Sequence, residues 1–169
     1  MRFVILLGLA LISSSASACR RPPDVIFSPY QELLKWSKTV VLARVESVVF
    51  TPNVDDRHVG YTTYKLRTER ILLGHPPSTF EFYDGFAVKG WELPNRQKTT
   101  FNNHTDPEFW AHGGRSLVST NCEIEPHFEN GAMYLVFLDK PYHESGFEKI
   151  ESDNDLWLKV VELSIESGL

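Results

Sequence analysis

Two long stretches in the first half of the chain alternate between apolar and polar residues, which is the pattern of a β-strand with one buried face. The first runs from Thr39 to Phe50 and is rich in β-branched residues, and the second runs from Tyr61 to Leu73. The polar segment from Pro52 to Gly60 separates them and is typical of a turn. The pattern therefore predicts a β-hairpin.

Three shorter segments predict further strands. Thr79 to Tyr83 places Phe80 and Phe82 on one face. Met133 to Leu138 is apolar at every position, which predicts a strand in the middle of a sheet that is buried on both faces. Gly146 to Glu151 is expected to form a last, short strand.

A helix is predicted at each end of this strand region. For the first helix, Ser28 is the expected N-cap, Pro29 is the first helical residue and Gln31 completes a capping box. For the second helix, Ser152 and Asp155 are expected to form a capping box. The apolar faces are expected to comprise Tyr30, Leu33, Leu34 and Trp36 in the first helix and Leu156, Trp157, Val160, Val161 and Leu163 in the second.

Five or six strands with a helix at each end indicate an all-β protein with flanking helices. Because the strands are separated by turns rather than by helices, we expect a small barrel, closed or partly closed, rather than a parallel α/β sheet.

The 35 residues from Ala87 to Asn121 show no sustained period. A stretch of this length inside a compact domain is typical of a binding element or a disordered insertion. Its aromatic residues argue against disorder, because so much aromatic area needs a surface to pack against. We therefore expect an ordered excursion with a small cluster of its own. Trp91, Phe109 and Trp110 are candidates for an aromatic platform that contacts a glycan or a peptide, and internal packing is the alternative.

The first 18 residues have the three-part layout of a secretory signal peptide, with Arg2, an apolar run from Phe3 to Ile12 and the site Ala16-Ser17-Ala18. The apolar run is too short to span a bilayer, so we expect cleavage after residue 18 and a secreted or periplasmic protein, with a bacterial source favoured. Cys19 would then be the first mature residue. Acylation of Cys19 to give a lipoprotein is the alternative, but Ala16 stands where lipoproteins usually carry leucine.

Residues 19–169 suit a single domain with one core. They carry 16 basic and 22 acidic residues, which gives a net charge of −6. This acidic balance argues against nucleic-acid binding, which needs clustered Lys and Arg. No second long apolar run follows residue 18, so no membrane span is expected.

The chain has two cysteines, Cys19 and Cys122. In an exported protein an even pair most simply forms one disulfide, which would fasten the mature N-terminus to the second half of the domain. A bridged Cys122 cannot act as a nucleophile, because the attacking species is the thiolate.

The densest set of side chains capable of binding a metal comprises His104, Asp106, Glu108 and His112. Their spacing matches no established zinc motif, and loops rich in His and Asp are commonly satisfied by local hydrogen bonds. The following His112-Gly113-Gly114-Arg115-Ser116 segment lacks both the P-loop lysine and the Gly-x-Ser-x-Gly pattern of a nucleophile elbow. We therefore expect no enzymatic activity and no cofactor, with metal binding in the 104–112 region, and a metal-dependent activity there, as the alternative.

Four features occur in order along the mature chain: an N-terminal cysteine, a short helix with a hydrophobic strand after it, a second strand that ends at Leu73-Gly74, and Gly131-x-x-Tyr134-Leu135-Val136-Phe137 after Cys122. In this order they resemble the netrin and tissue inhibitor of metalloproteinases superfamily. The resemblance implies an oligonucleotide/oligosaccharide-binding (OB) barrel. It also implies that the amine and carbonyl of Cys19 chelate the zinc of a target peptidase, with Cys122 as the disulfide partner. The chain departs from the inhibitors at Arg21, where they have the second cysteine of Cys-x-Cys.

These observations predict an exported, noncatalytic binding or interaction module that has a disulfide-stapled OB-like barrel and a protein or glycan partner. The alternative is a metallopeptidase inhibitor that acts through Cys19 on an extracytoplasmic peptidase.

Overall fold

The alternating stretches of the sequence form the long strands of an antiparallel sheet in a computed structural model that describes residues 26–55, 57, 59–88, 101–111, 114–117, 127–139 and 146–168. The strands are β1 (Ile26–Pro29), β2 (Val40–Pro52), β3 (Val59–Leu73), β4 (Thr79–Val88), β5 (Gly114–Leu117), β6 (Met133–Phe137) and β7 (Phe147–Lys149). The helices are α1 (Tyr30–Trp36), α2 (Pro107–Ala111) and α3 (Leu156–Glu166), and a 3-10 turn spans Asn103–Thr105.

Five strands pair in the order β4-β3-β2-β6-β7, and all their ladders are antiparallel. The first four form a Greek key, because three consecutive strands are followed by a fourth that returns to lie beside the first. The predicted all-β class with flanking helices is confirmed. Within the described residues, however, no ladder joins β4 to β7, so the sheet remains open there and is not a closed barrel.

The predicted hairpin is confirmed as β2 and β3, which pair from Val40 opposite Leu73 to Pro52 opposite Gly60. β6 is much shorter, and its ladder with β2 covers only Val40–Arg44 of that strand. The far half of the hairpin therefore extends beyond β6, with β4 alongside β3 as its third strand.

Alternate residues of the sheet pack into two separate hydrophobic clusters, one on each face. Val40 and Leu42 face the helices, whereas Val41, Ala43 and Val45 face the opposite side. The helix-side cluster is completed by Leu33, Phe109, Leu135, Phe137, Ile150, Trp157, Leu158 and Val161. The opposite cluster contains Tyr64, Leu66, Phe101, Phe128, Tyr134, Val136 and Phe147. β6 contributes to both clusters, which confirms the prediction that it is buried on both faces.

The predicted start of the first helix is wrong. Ser28 and Pro29 lie in β1, which pairs with β5, and the helix begins at Tyr30. The ladder keeps these two residues extended, so Pro29 is not the first helical residue. Trp36, which was expected on the apolar face, is 60% exposed.

The second helix exists as predicted, but its cap differs. Asp155 alone is the N-cap, and its Oδ1 accepts hydrogen bonds from the backbone N–H groups of Trp157 (2.9 Å) and Leu158 (3.3 Å). Ser152 lies in the preceding turn, where its carbonyl accepts the N–H of Asp155. The predicted capping box, which begins at Ser152, is therefore wrong, because the observed N-cap lies three residues later.

The expected excursion is ordered where it is described, and its buried aromatic residues in that part join the two clusters of the sheet instead of forming a cluster of their own. Phe101 packs in the cluster that contains Tyr64, and Phe109 packs in the helix-side cluster. The described part of the excursion thus contributes Phe101 to one side of the sheet and Phe109, with Trp110 packed against the same cluster, to the other. Among the described residues, no helix combines the length and the apolar character needed to cross a membrane.

Gly74 and Gly131 provide a matched test of the turns that set the sheet register. Both have positive φ, 78° and 79°, but an added Cβ at Gly74 would collide with the backbone of Lys38, whereas at Gly131 it would meet open space. We expect Gly131→Ala to lower the free energy of unfolding by about 1 kcal/mol through backbone strain alone, and Gly74→Ala to lower it by at least about 2 kcal/mol. Urea unfolding of both variants measures the difference, and equal losses would contradict the close packing at residue 74.

Candidate functional site

A buried histidine in the excursion lies between two carboxylates. His104 Nδ1 is 2.7 Å from Glu148 Oε2, and its Nε2 is 2.9 Å from Asp155 Oδ2. His104 is 4% exposed and Glu148 is fully buried. We call these three residues the histidine clamp.

Three different parts of the fold supply the clamp. His104 lies in the 3-10 turn, where its carbonyl accepts the indole N–H of Trp110 at 2.7 Å. Glu148 lies on β7 opposite Leu135, on the face that the helices cover. Asp155 caps α3 with its other carboxylate oxygen. The clamp therefore fixes the excursion, the last strand and the start of the last helix relative to one another.

The charges of the clamp favour a protonated histidine. Burial by itself lowers the pKa of His104, but the hydrogen bonds and negative charges of Glu148 and Asp155 outweigh it and raise this pKa above its ordinary value. The imidazolium form has an N–H on each nitrogen, so it can donate to both carboxylates at once. A neutral ring can donate to only one of them.

The clamp is arranged for structure rather than for proton transfer or metal binding. Both ring nitrogens already face a carboxylate, and the ring is closed off from solvent. The carboxylates lie at opposite nitrogens, so the three side chains do not converge on one point. Within the described part of the chain, no group of three or more His, Cys, Asp or Glu side chains is placed to hold a metal ion.

The other predicted metal ligands are not brought to His104 by anything that the structure describes. Asp106 is exposed, and the side chain of Glu108 and the whole of His112 lie outside the described residues. A site that includes these last two stays a prediction.

The three residues of the predicted aromatic platform have different outcomes. Phe109 is 2% exposed, with its ring stacked on Tyr30 at 5.7 Å between centroids, so its position corresponds to the internal-packing alternative. Trp110 is half-buried, with its ring edge-on to Phe109 at 5.1 Å. Trp91 lies outside the described residues, as do both cysteines, so the disulfide between Cys19 and Cys122 stays a prediction.

A different aromatic surface is exposed on the helix-side face of the sheet, near the far end of the hairpin. Val49, Thr63 and Tyr83 are cross-strand partners in one row, and Thr51 pairs with Tyr61 in a neighbouring row. Directly paired residues share a face, so all five side chains lie together. Val49 is 51%, Tyr61 41% and Tyr83 59% exposed, and the two threonines are half-buried. We call these five residues the tip patch.

Charged residues separate the tip patch from the helices, and they are paired with one another. Glu46 accepts Arg67 at 3.1 Å and lies 3.7 Å from the ammonium of Lys65. Glu69 accepts Arg67 at 2.7 Å and Arg44 at 3.3 Å. Since these pairs are partly exposed, each contributes little to stability. Their main effect is that these five side chains, three basic and two acidic, largely neutralise one another beside the tip patch.

One ring of the tip patch is held in place by a hydrogen bond. The hydroxyl of Tyr83 donates to Glu81 Oε2 at 2.7 Å. This hydrogen bond and the negative charge of Glu81 raise the pKa of Tyr83 above its ordinary value.

A groove of about 540 Å³ lies on the same face, where β2 and β6 meet the segment before α3. Leu42, Met133 and Ile150 line it together with two cations. Both cations are already engaged: Arg44 Nη1 donates to the carbonyl of Gly131 at 2.9 Å, and Lys149 donates to Glu129 at 2.7 Å. The groove therefore offers no uncompensated charge to a ligand from these two side chains.

Sequence reasoning missed the partners of His104 and the tip patch for different reasons. Glu148 and Asp155 are 44 and 51 residues from His104, so no local spacing connects them. The tip patch did leave a signal. The alternation that places Lys65 and Arg67 on one face of β3 also places Tyr61 there.

Comparisons of this chain with known protein families, with curated proteins and with solved structures found no match.

The clamp makes a strong stability prediction. Removing the imidazole in His104→Ala leaves the buried Glu148 and the partly buried Asp155 without their shared cation, and we expect the free energy of unfolding to fall by about 3–5 kcal/mol. Lys159→Ala is the control, because it removes an exposed ion pair with Glu162 and should cost less than about 0.5 kcal/mol. Denaturant unfolding measures both variants. A loss below about 1 kcal/mol for His104→Ala would contradict a buried ionic clamp.

The clamp also predicts the direction of a pH dependence. The folded-state pKa of His104 lies above that of the unfolded chain, which is about 6.5. Its contribution to stability is therefore complete below that value and is lost as the pH rises through the folded-state pKa. We expect the difference in unfolding free energy between wild type and His104→Gln to shrink from about pH 6 to pH 9. A difference that grows over this range would show that the folded-state pKa is lowered.

Proposed function

We propose that this protein is an exported, noncatalytic binding module that holds an uncharged partner on its tip patch. The observation that carries the proposal is the exposure of Val49, Tyr61 and Tyr83 together on one face of paired strands. Contiguous exposed apolar side chains on a soluble domain typically mark an interaction site.

The strands beneath the tip patch support a preformed binding surface. β3 is paired on both sides, with β2 and β4. On the opposite face of the same strands, Tyr64 is 3% exposed. The ring of Phe128 lies 5.2 Å from the ring of Tyr64 and 5.5 Å from the ring of Phe82, measured between centroids. This packing anchors the strands from below, so little order has to be created when a partner binds.

The surrounding charges favour an uncharged partner. Arg44, Lys65 and Arg67 are balanced by Glu46, Glu69 and Glu81 on the same face. A charged partner would have to compete with these existing pairs. The expected chemistry is thus an apolar contact face bordered by neutral hydrogen-bonding groups.

The noncatalytic part of the proposal is supported by the histidine clamp. A general base must have a free nitrogen within reach of a substrate proton. Both nitrogens of His104 face carboxylates, and the ring is buried. Export itself rests on residues 1–18, which lie outside the described residues.

We also propose that the sheet is part of an OB-like barrel of the netrin type. The Greek-key order of the strands supports this, because the OB fold is a five-stranded, partly open Greek-key barrel. Closure would depend on β4 and β7, which are the two edges of the described sheet. The alternative function, metallopeptidase inhibition, rests on Cys19 and stays a prediction from the sequence.

Replacing both tyrosines tests the proposed function. We expect Tyr61→Ser with Tyr83→Ser to reduce binding to cell-surface material of the source organism by about tenfold or more, because two exposed rings are removed from the contact. Stability should change little, since both side chains are exposed in the free protein. Sedimentation of labelled protein with that material measures binding.

Leu156→Ser is the matched control, because Leu156 is 59% exposed at the start of α3, away from the tip patch. It should leave binding unchanged. Raising the salt concentration to about 0.5 M should also leave it unchanged, since the partner is uncharged. Equal binding by wild type and the double tyrosine variant would overturn the proposed function.

A further inference from the structure

We infer that the partner of the tip patch is a neutral glycan, bound by stacking of sugar rings on Tyr61 and Tyr83. The inference rests on the proposed function and adds the chemical class of the partner. It is carried by three properties of the patch: its kind of polar groups, the placement of its two rings and its size.

The side-chain polar groups of the tip patch are all hydroxyls. Thr51, Thr63, Tyr61 and Tyr83 each carry one, and Val49 carries none. A hydroxyl can donate one hydrogen bond and accept two, which matches the hydroxyls of a sugar in both directions. Since the phenol of Tyr83 donates to Glu81, its oxygen remains able to accept from a sugar hydroxyl.

The two rings are placed to act together. Tyr83 pairs with Thr63, which lies two residues from Tyr61 on the same face of β3. Diagonal neighbours of this kind have Cα atoms about 7–8 Å apart, within reach of aromatic side chains. The faces of aromatic rings carry partial negative charge, so they attract the slightly positive C–H groups on the flat side of a sugar ring. Two such rings can contact a chain of at least two sugar units.

The hydrogen bond to Glu81 preorganises the ring of Tyr83 for binding. It restrains the Tyr83 side chain, so less side-chain freedom is lost when a ligand stacks on it.

The size of the tip patch favours a glycan over a folded protein. A stable protein interface uses about 20–30 residues on each side and buries about 800 Å² per partner. The tip patch has five residues, and the surface beside it carries charges that are already paired. Five side chains on a sheet suffice to cover a short oligosaccharide.

The test uses the full mature protein and a set of neutral oligosaccharides built from hexoses or N-acetylhexosamines, with α or β linkages, from monosaccharides upward. Binding is followed by quenching of tyrosine and tryptophan fluorescence and by calorimetry. We expect at least one neutral series to bind, with affinity that rises from the monosaccharide to the oligosaccharide as the second ring becomes covered. Oligogalacturonates, which are acidic, serve as the charged comparison and should bind more weakly.

Two pairs of substitutions separate stacking from simple apolar contact. Tyr61→Phe and Tyr83→Phe keep the ring and should weaken binding by no more than about threefold. Tyr61→Leu and Tyr83→Leu keep apolar area but remove the ring, and each should weaken binding by about three- to tenfold and abolish the gain with chain length. The Leu156→Ser control should match wild type.

The outcomes distinguish failure of the glycan assignment from failure of the proposed function. If no neutral oligosaccharide binds, or if the leucine variants bind as well as the phenylalanine variants, the glycan assignment is overturned. If the serine double variant still loses binding to cell-surface material in either case, the tip patch is an interaction surface for a protein. If the serine double variant binds that material normally, both proposals fail.

Discussion

The central constraint on this structure is the contact of the buried His104 with Glu148 and Asp155, whose charges favour the protonated imidazole. A buried carboxylate is costly, and two carboxylates close together need a cation or a shared proton between them. Asp155 has a double role, because one oxygen meets the imidazole and the other caps α3. The start of the last helix is therefore set by the same contact that fixes the excursion to β7.

This arrangement decides which part of the sheet the helices cover. α3 has 11 residues and is about 16 Å long, whereas β3 has 15 residues and extends over about 50 Å. Since the clamp holds α3 at the end of the sheet near β6 and β7, the helices cannot reach the far end of the hairpin. The uncovered part of the same face carries first the paired charges around Arg67 and then the tip patch.

Sequence patterns predicted the strands of the main sheet well, because alternation reports burial on one face directly. The hairpin of β2 and β3, the fully buried β6 and the final helix follow from the spacing of apolar residues alone. Sequence patterns did not predict an element whose conformation depends on a pairing partner far away in the chain. β1 is extended because it pairs with β5, about 90 residues later, and four residues around Ser28 carry no sign of that partner. The histidine clamp could not be predicted for the same reason, because its members are far apart in the sequence. In addition, an acidic residue inside a short strand, such as Glu148 in β7, normally indicates a position that faces solvent.

The exposed tyrosines of the tip patch contrast with the neighbouring part of the same face, which carries charged residues. A long, partly uncovered sheet is open to unwanted pairing and association, and charged residues along it reduce that risk. Here the charges lie between the helices and the patch, and none of the five patch residues is charged. If solubility alone had shaped this face, Lys or Glu would serve better than Tyr61 and Tyr83, whose rings are 41% and 59% exposed. Their position at the end of a strand triplet anchored by Tyr64 and Phe128 is the one that the proposed contact requires, because it holds the strands that carry both aromatic rings in place.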